Sequence, residues 1–234
     1  MSGESTKLHG VFRVAAIQMA AGSNVSANLK EAGRLVDMAA AQGAKLVALP
    51  EYFCIMGMKD VDKVAVREQP GSGPIQAFLS ETAERLGIWL VGGSVPLVSS
   101  LPDKVRNSCL VYADSGKQVA RYDKIHLFGL QLGNERYAEE KTIEAGDKVV
   151  TLESPFGRIG LSICYDLRFP ELYRAMEKVD IILAPAAFTA TTGKAHWETL
   201  IRARAIENLA YVIAPAPRGV SCQWPRNSRR QHDR

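Results

Sequence analysis

The sequence predicts an α/β protein built on mixed sheets, and three observations carry that prediction. Short runs of β-branched and aliphatic residues alternate with segments whose apolar residues recur every three to four positions, the signature of strands exchanged with helices. A turn signal, Asp114-Ser115-Gly116-Lys117, separates strand-like runs at 107–113 and 118–122, and a hairpin there makes the sheet mixed rather than wholly parallel. The chain has 234 residues, 47% apolar and 23% charged, which is ample for a sizeable core in one domain.

The elements follow in order. Residues 11–19 read as a partly buried strand. Over 28–42, Leu29, Ala32, Leu35, Val36 and Ala39 share one helical face, and Asn24 or Ser26 is placed to cap it. KLVAL at 45–49 is a short buried strand. A helix over 74–86 is entered from Gly71-Ser72-Gly73, and IWLVG at 88–92 is another buried strand. After the hairpin comes a long loop, 123–148. Strands are expected at 149–152 and 158–163 around an SPFG turn, then a helix from Pro170 to about 178 and a strand at 179–183. A helix over 195–208 turns Trp197, Leu200, Ile201 and Ala205 inward, with Glu198 and Arg202 paired one turn apart. A last strand covers 211–214.

Composition excludes several classes. No stretch approaches the roughly 18 unbroken apolar residues of a membrane helix. The opening MSGESTKLHG lacks the apolar run of a secretory signal, so a cytoplasmic protein is expected, with no membrane partner. Net charge is +4, yet residues 217–234 alone hold five Arg against one acid, Asp233, so residues 1–216 are balanced. No basic patch for nucleic acid is spread over the fold. The four Cys (Cys54, Cys109, Cys164, Cys222) form no CxxC pair, and free thiols are expected. The four His are scattered, which disfavours a zinc site. Neither GxSxG nor a phosphate-binding glycine motif occurs.

Three polar residues follow apolar strands directly: Glu51 after KLVALP, Lys124 after QVARYD and Cys164 after RIGLSI. Sites in α/β proteins gather where strands run out. A carboxylate, an amine and a thiol there suit nucleophilic catalysis. The bland alternatives are a solvated loop acid, a surface lysine and a small buried hydrophobe.

Three segments in order, LVALPEYF at 46–53, YDKIHLF at 122–128 and GLSICYDLRFPELYR at 160–174, resemble the nitrilase, or carbon–nitrogen hydrolase, superfamily. VAAIQM at 14–19, RYAEEKTIEAGD at 136–147 and HWETLIRARAIEN at 196–208 add to the likeness, which covers about residues 11–216. The resemblance implies an α-β-β-α sandwich and homodimerisation. It implies Cys164 as nucleophile and Glu51 as general base. Lys124 and the Tyr165 backbone N–H would be oxyanion donors, and Glu139 a supporting second glutamate. Glu140 leaves that last assignment one residue uncertain; counting back from Gly146-Asp147 selects Glu139. No metal or organic cofactor is required.

Amide chemistry needs such a set. A thiol of pKa about 8.5 is mostly protonated near neutrality, so a base and a cation beside it raise the thiolate fraction. The same cation and N–H then hold the oxyanion. The CYDLRFPELYR and KAHWETLIRARAIEN segments resemble the Nit-type branch, deaminated glutathione amidase and omega-amidase. That implies a small anionic amide as substrate and ammonia as product. Arg168 is the local cation for its carboxylate; the alternative is an ion pair with Glu171. N-carbamoyl amino acid hydrolysis is the competing reaction, separable by carbon dioxide release. A non-catalytic fold, or an inactive truncated product, is the reading from a different class.

After Ala216 the resemblance stops. Residues 217–234 read as a basic, non-homologous tail. A shift of one nucleotide at the Pro217–Arg218 junction lets permitted codons read QGGCHVNGRETHGDSMI, similar to the family's continuation. A frameshift is therefore expected, with a natural basic tail as the alternative. A genuine truncation would leave a sheet edge and an apolar face uncovered and lower stability.

Overall fold

The computed structural model describes residues 11–132 and 135–217. Residues 218–234, and with them nearly all of the expected tail and Cys222, lie outside the described residues.

Strands β1 (Arg13–Ala16), β2 (Ala44–Ala48) and β3 (Trp89–Val91) run parallel. Strand β5 (Val105–Tyr112) joins β3 antiparallel, and β4 (Val95–Val98) and β6 (Gln118–Asp123) both pair antiparallel with β5. These six form one sheet. A two-stranded ribbon of β7 (Gly129–Leu132) and β8 (Glu135–Ala138) follows. The second main sheet has the order β12-β11-β10-β9, with β9 (Thr151–Ser154), β10 (Gly157–Leu161), β11 (Ile181–Leu183) and β12 (Tyr211–Ile213). Only the β9–β10 pair in it is antiparallel.

Alternation along β2 shows how the layers form. Leu46 and Ala48 belong to the core shared with Ile159, Leu161 and Leu183 of the other sheet, whereas Val47 and Leu49 face the outer helices. Successive strand side chains point to opposite faces, so one strand serves two cores. Phe156 bridges the sheets, with ring centroids 4.9 Å from Phe12 and 6.0 Å from Trp89. Helices α1 (Val25–Ala41) and α3 (Pro74–Leu86) cover the six-stranded sheet, with a four-residue turn, α2 (Asp62–Ala65), between them. Helices α4 (Pro170–Ala175) and α5 (Ala190–Asn208) cover the four-stranded sheet. The architecture is α-β-β-α.

Most sequence-predicted elements lie where expected. Asn24 caps α1, its side chain accepting from the Ala27 N–H at 2.9 Å, and Ala32 and Val36 are fully buried on its inner face. Two differences have physical causes. Helix α5 starts at 190 rather than 195, because the Thr189 side chain accepts from the Thr192 N–H at 3.2 Å and initiates a turn of otherwise poor helix formers. The expected long loop contains the β7–β8 ribbon and a 3-10 turn, Glu139–Lys141. Their pairing depends on contacts that no local pattern records.

Candidate active site

Three strand ends meet at one point. Strand β2 runs out at Ala48, and Leu49-Pro50 leads to Glu51. Gly93, at φ +50°, packs against this segment so closely that a Cβ would overlap the Pro50 carbonyl oxygen. Strand β6 ends at Asp123, and the Lys124 backbone is pinned on both sides. Its N–H donates to Asn107 O at 2.9 Å, and its carbonyl accepts from the Gly146 N–H at 2.8 Å. Strand β10 ends at Leu161. The Ser162 N–H then donates to Leu183 O, and the Cys164 N–H to Pro185 O, each at 2.9 Å. Cys164 itself sits at φ +49°. A non-glycine residue there is strained, which projects the thiol out of a sharp turn.

The side chains form a buried cluster. Lys124 Nζ lies 3.0 Å from Glu51 Oε1 and 2.9 Å from Glu139 Oε2. Asn107 Nδ2 donates to the same Glu51 oxygen at 2.9 Å. Glu51, Glu139 and Cys164 line one pocket above this cluster. Glu139 is tethered by the backbone, accepting from the Phe128 N–H at 2.7 Å. Glu139 is buried and Glu140 exposed, so geometry picks between the two neighbours. Glu51, Lys124 and Glu139 are all 5% exposed or less, which removes the solvated-acid and surface-lysine alternatives.

Burial sets the electrostatics. It raises the Glu51 carboxyl above the ordinary range; the Lys124 charge pulls it back and the Glu139 charge pushes it up again. Burial acts against the Lys124 ammonium, but Glu139 and Glu51 outweigh it and hold the amine protonated well above its usual value. Burial and then the Glu51 charge hold the Cys164 thiol well above its ordinary range, against the pull of Lys124. The two charged neighbours thus bear on the thiol in opposite senses, Glu51 against its ionisation and Lys124 in favour of it.

The cluster opens into a pocket lined by Glu51, Phe128, Tyr137, Glu139, Cys164, Ala187 and Thr189. A second concavity shares Cys164, Phe128, Ala187 and Thr189 and adds Tyr165 and Arg168. The Arg168 guanidinium lies 5.6 Å from the Tyr165 ring centroid and 5.9 Å from that of Phe188, and contacts His196 Nδ1 at 3.2 Å. Among the described residues it pairs with no carboxylate, Glu171 included. Trp197 stacks edge-on against Phe188 at 5.0 Å, as helix packing requires. Cys54 and Cys109 are fully buried apart from the cluster. Among the described residues no cluster of three or more His, Cys, Asp or Glu could hold a metal ion. Sequence reasoning missed Asn107, which was legible only as a polar residue in an apolar strand.

A thiol and two carboxylates lining one pocket, with an ammonium fixed between the carboxylates, define a protein equipped for nucleophilic attack on a carbonyl. The profile of the carbon–nitrogen hydrolase family matches residues 13–233, and the chain belongs to that family. Deaminated glutathione amidase of Synechocystis is 42% identical over 228 residues, spanning 94% of this chain and 82% of the relative. Human omega-amidase NIT2 is 40% identical over 210 residues, spanning 88% of this chain and 74% of its own length. The crystal structure of the C. elegans NitFhit protein superposes with a TM-score of 0.80 at 34% identity, covering 93% of this chain and 53% of that one. Hydrolysis of an amide carbon–nitrogen bond is the chemistry shared by the family and these amidases.

Proposed function

We propose that the protein cleaves the terminal amide of a small, linear, carboxylate-bearing substrate through a Cys164 thioester, releasing ammonia. Deaminated glutathione or the omega-amide of a dicarboxylic acid is the substrate class that the two amidase relatives suggest. The observation that carries the reading is the buried cluster of Glu51, Lys124 and Glu139 beside Cys164, which is shared by the pocket that the two glutamates line and the concavity that Arg168 lines. Sulfur attacks the amide carbon as its proton passes to Glu51. The oxyanion is held by Lys124 Nζ and the Tyr165 N–H. The C–N bond breaks as Glu51 returns the proton to the departing nitrogen, and ammonia leaves a thioester. Water then attacks, giving its proton to Glu51. The C–S bond breaks, and the proton returns to sulfur. Glu139 keeps Lys124 aimed throughout. Arg168, free of carboxylate partners among the described residues, receives the substrate's own carboxylate.

The test is ammonia release from the monoamides of succinic and glutaric acids. Cys164→Ala abolishes it, Glu51→Gln leaves only a residual rate, and mass spectrometry of the quenched wild type shows the acyl adduct on Cys164. Arg168→Met raises KM about 10–100-fold, the worth of a charge-assisted hydrogen bond, with kcat nearly kept. Activity indifferent to Cys164→Ala sinks the reading, and release of ammonia and carbon dioxide from an N-carbamoyl amino acid, with no ammonia from the two monoamides, transfers it to that substrate class. We further propose a cytoplasmic homodimer that buries the α5 end, where Ile206, Leu209 and Tyr211 are largely exposed. Light scattering that gives a monomer mass overturns the dimer.

A further inference from the structure

We propose that Asp166 is the positioning residue that fixes the Lys124 ammonium relative to the Cys164 thiol; the inference rests on the site reading above. The Asp166 side chain has no exposure and receives four donors. Its Oδ2 accepts from the Tyr122 hydroxyl at 2.7 Å and the Ile163 N–H at 2.8 Å. Its Oδ1 accepts from the His126 N–H at 3.0 Å and from His126 Nδ1 at 2.7 Å.

The donors are not scattered. Tyr122 and His126 lie two residues before and two residues after Lys124, and Ile163 immediately precedes Cys164. One carboxylate thus grips the chain on both sides of the ammonium and the amide directly before the nucleophile. Further contacts tighten the grip. The Ile125 N–H donates to the Tyr122 oxygen at 3.3 Å. The His126 ring stacks on Phe169, centroids 3.7 Å apart and planes within 6°.

The need for such a clamp follows from where the reacting groups originate. Lys124 leaves the six-stranded sheet and Cys164 the four-stranded one. Apolar packing joins the two sheets, and apolar packing is non-directional. Oxyanion stabilisation requires the donor within a few tenths of an ångström, and a misplacement of about 1 Å costs roughly 100-fold in rate. Directional bonds to a shared acceptor supply that precision. They also help to hold the strained Cys164 turn, whose left-handed backbone persists only where its neighbours over-determine it. Asp166 acts through those neighbours, so it is a positioning residue rather than a catalytic one.

Asp166→Asn replaces one acceptor oxygen with an amide that faces N–H or O–H donors. We expect kcat on the succinic monoamide to fall about 100-fold with KM within about threefold. Alkylation of Cys164 by iodoacetamide should slow in parallel, a readout that needs no substrate. Tyr122→Phe is isosteric and removes one donor, so it reports even where Asp166→Asn does not fold. Its kcat and alkylation rate should each fall about 10-fold or more, the lower end of the worth of one hydrogen bond to a charged group. Wild-type kcat and alkylation in folded Tyr122→Phe overturn the proposal, as does an Asp166→Asn loss that merely tracks the folded fraction. Cys164→Ala run alongside separates the two failures: surviving activity there overturns the site reading itself.

Discussion

At the scale of single residues, the decisive fact is one ammonium between two carboxylates with no solvent contact. Removing Lys124 therefore does more than delete an oxyanion donor; it leaves Glu51 and Glu139 buried together. Lys124→Met should lower kcat by 100-fold or more and, at pH 8, destabilise the fold by about 3–5 kcal/mol in urea unfolding. The sign with pH is fixed. Lys124 is raised above the ordinary lysine value in the fold, so its stabilisation is present below that value and is lost only as pH climbs through the folded one. The cost of Lys124→Met should shrink as falling pH protonates the raised Glu51 carboxyl. Glu51 runs the other way. Its carboxyl is raised, so its own contribution to stability declines as pH rises from the ordinary carboxylate value through the raised one. As a base it works only when deprotonated. The acid limb of the kcat profile should therefore fall at a pH above the ordinary carboxylate range and vanish from the residual rate of Glu51→Gln.

At the scale of elements, the site depends on how strand ends are held. Gly93 lies on the β3–β4 connection at φ +50°, against the Pro50 carbonyl. Gly93→Ala combines an unfavourable backbone conformation with a steric overlap, and neither relaxes without moving Glu51 off Lys124. We expect a loss of about 2 kcal/mol or more in stability, measured by denaturant unfolding, together with a drop in kcat. At the far end of the four-stranded sheet, the buried Arg204 of α5 donates Nε to Leu167 O at 3.0 Å and pairs with Glu207. The helix that follows β11 thereby supports the end of the nucleophile turn. The exposed Glu198–Arg202 pair on the same helix, at 2.6 Å, contributes little, being screened and free to move.

At the scale of the whole molecule, the catalytic groups straddle two cores. Leu46 packs between the sheets, whereas Leu79 packs between the six-stranded sheet and its outer helices. Both are essentially inaccessible, so Leu46→Ala and Leu79→Ala should each cost about 2–5 kcal/mol. Their effects on rate should differ. A cavity between the sheets loosens the relation of Lys124 to Cys164 and lowers kcat of the folded enzyme; a cavity under the outer helices leaves kcat near wild type. Steady-state kinetics at a temperature where both variants are fully folded checks this. Equal kcat in the two would show that the inter-sheet layer does not set the site.

Periodicity and capping are local, so the alternation of strands and helices could be read directly from the chain. Helix α3 and the Asn24 cap of α1 could be read from Pro74, Asn24 and a repeat of apolar residues. Glu51, Lys124 and Cys164 were legible because each stands directly beyond an apolar strand, within segments specific enough to identify the family. Counting back from Gly146-Asp147 selected Glu139 over Glu140, but its contact with Lys124, and that of Arg168 with His196 instead of Glu171, came from the folded geometry. The fold also brought Asn107 to Glu51, 56 residues away, and Tyr122 and His126 to Asp166, 44 and 40 residues away. A hydrogen bond between distant strands leaves no periodic trace in the chain, and the burial that raises a pKa exists only once two sheets have closed over the group.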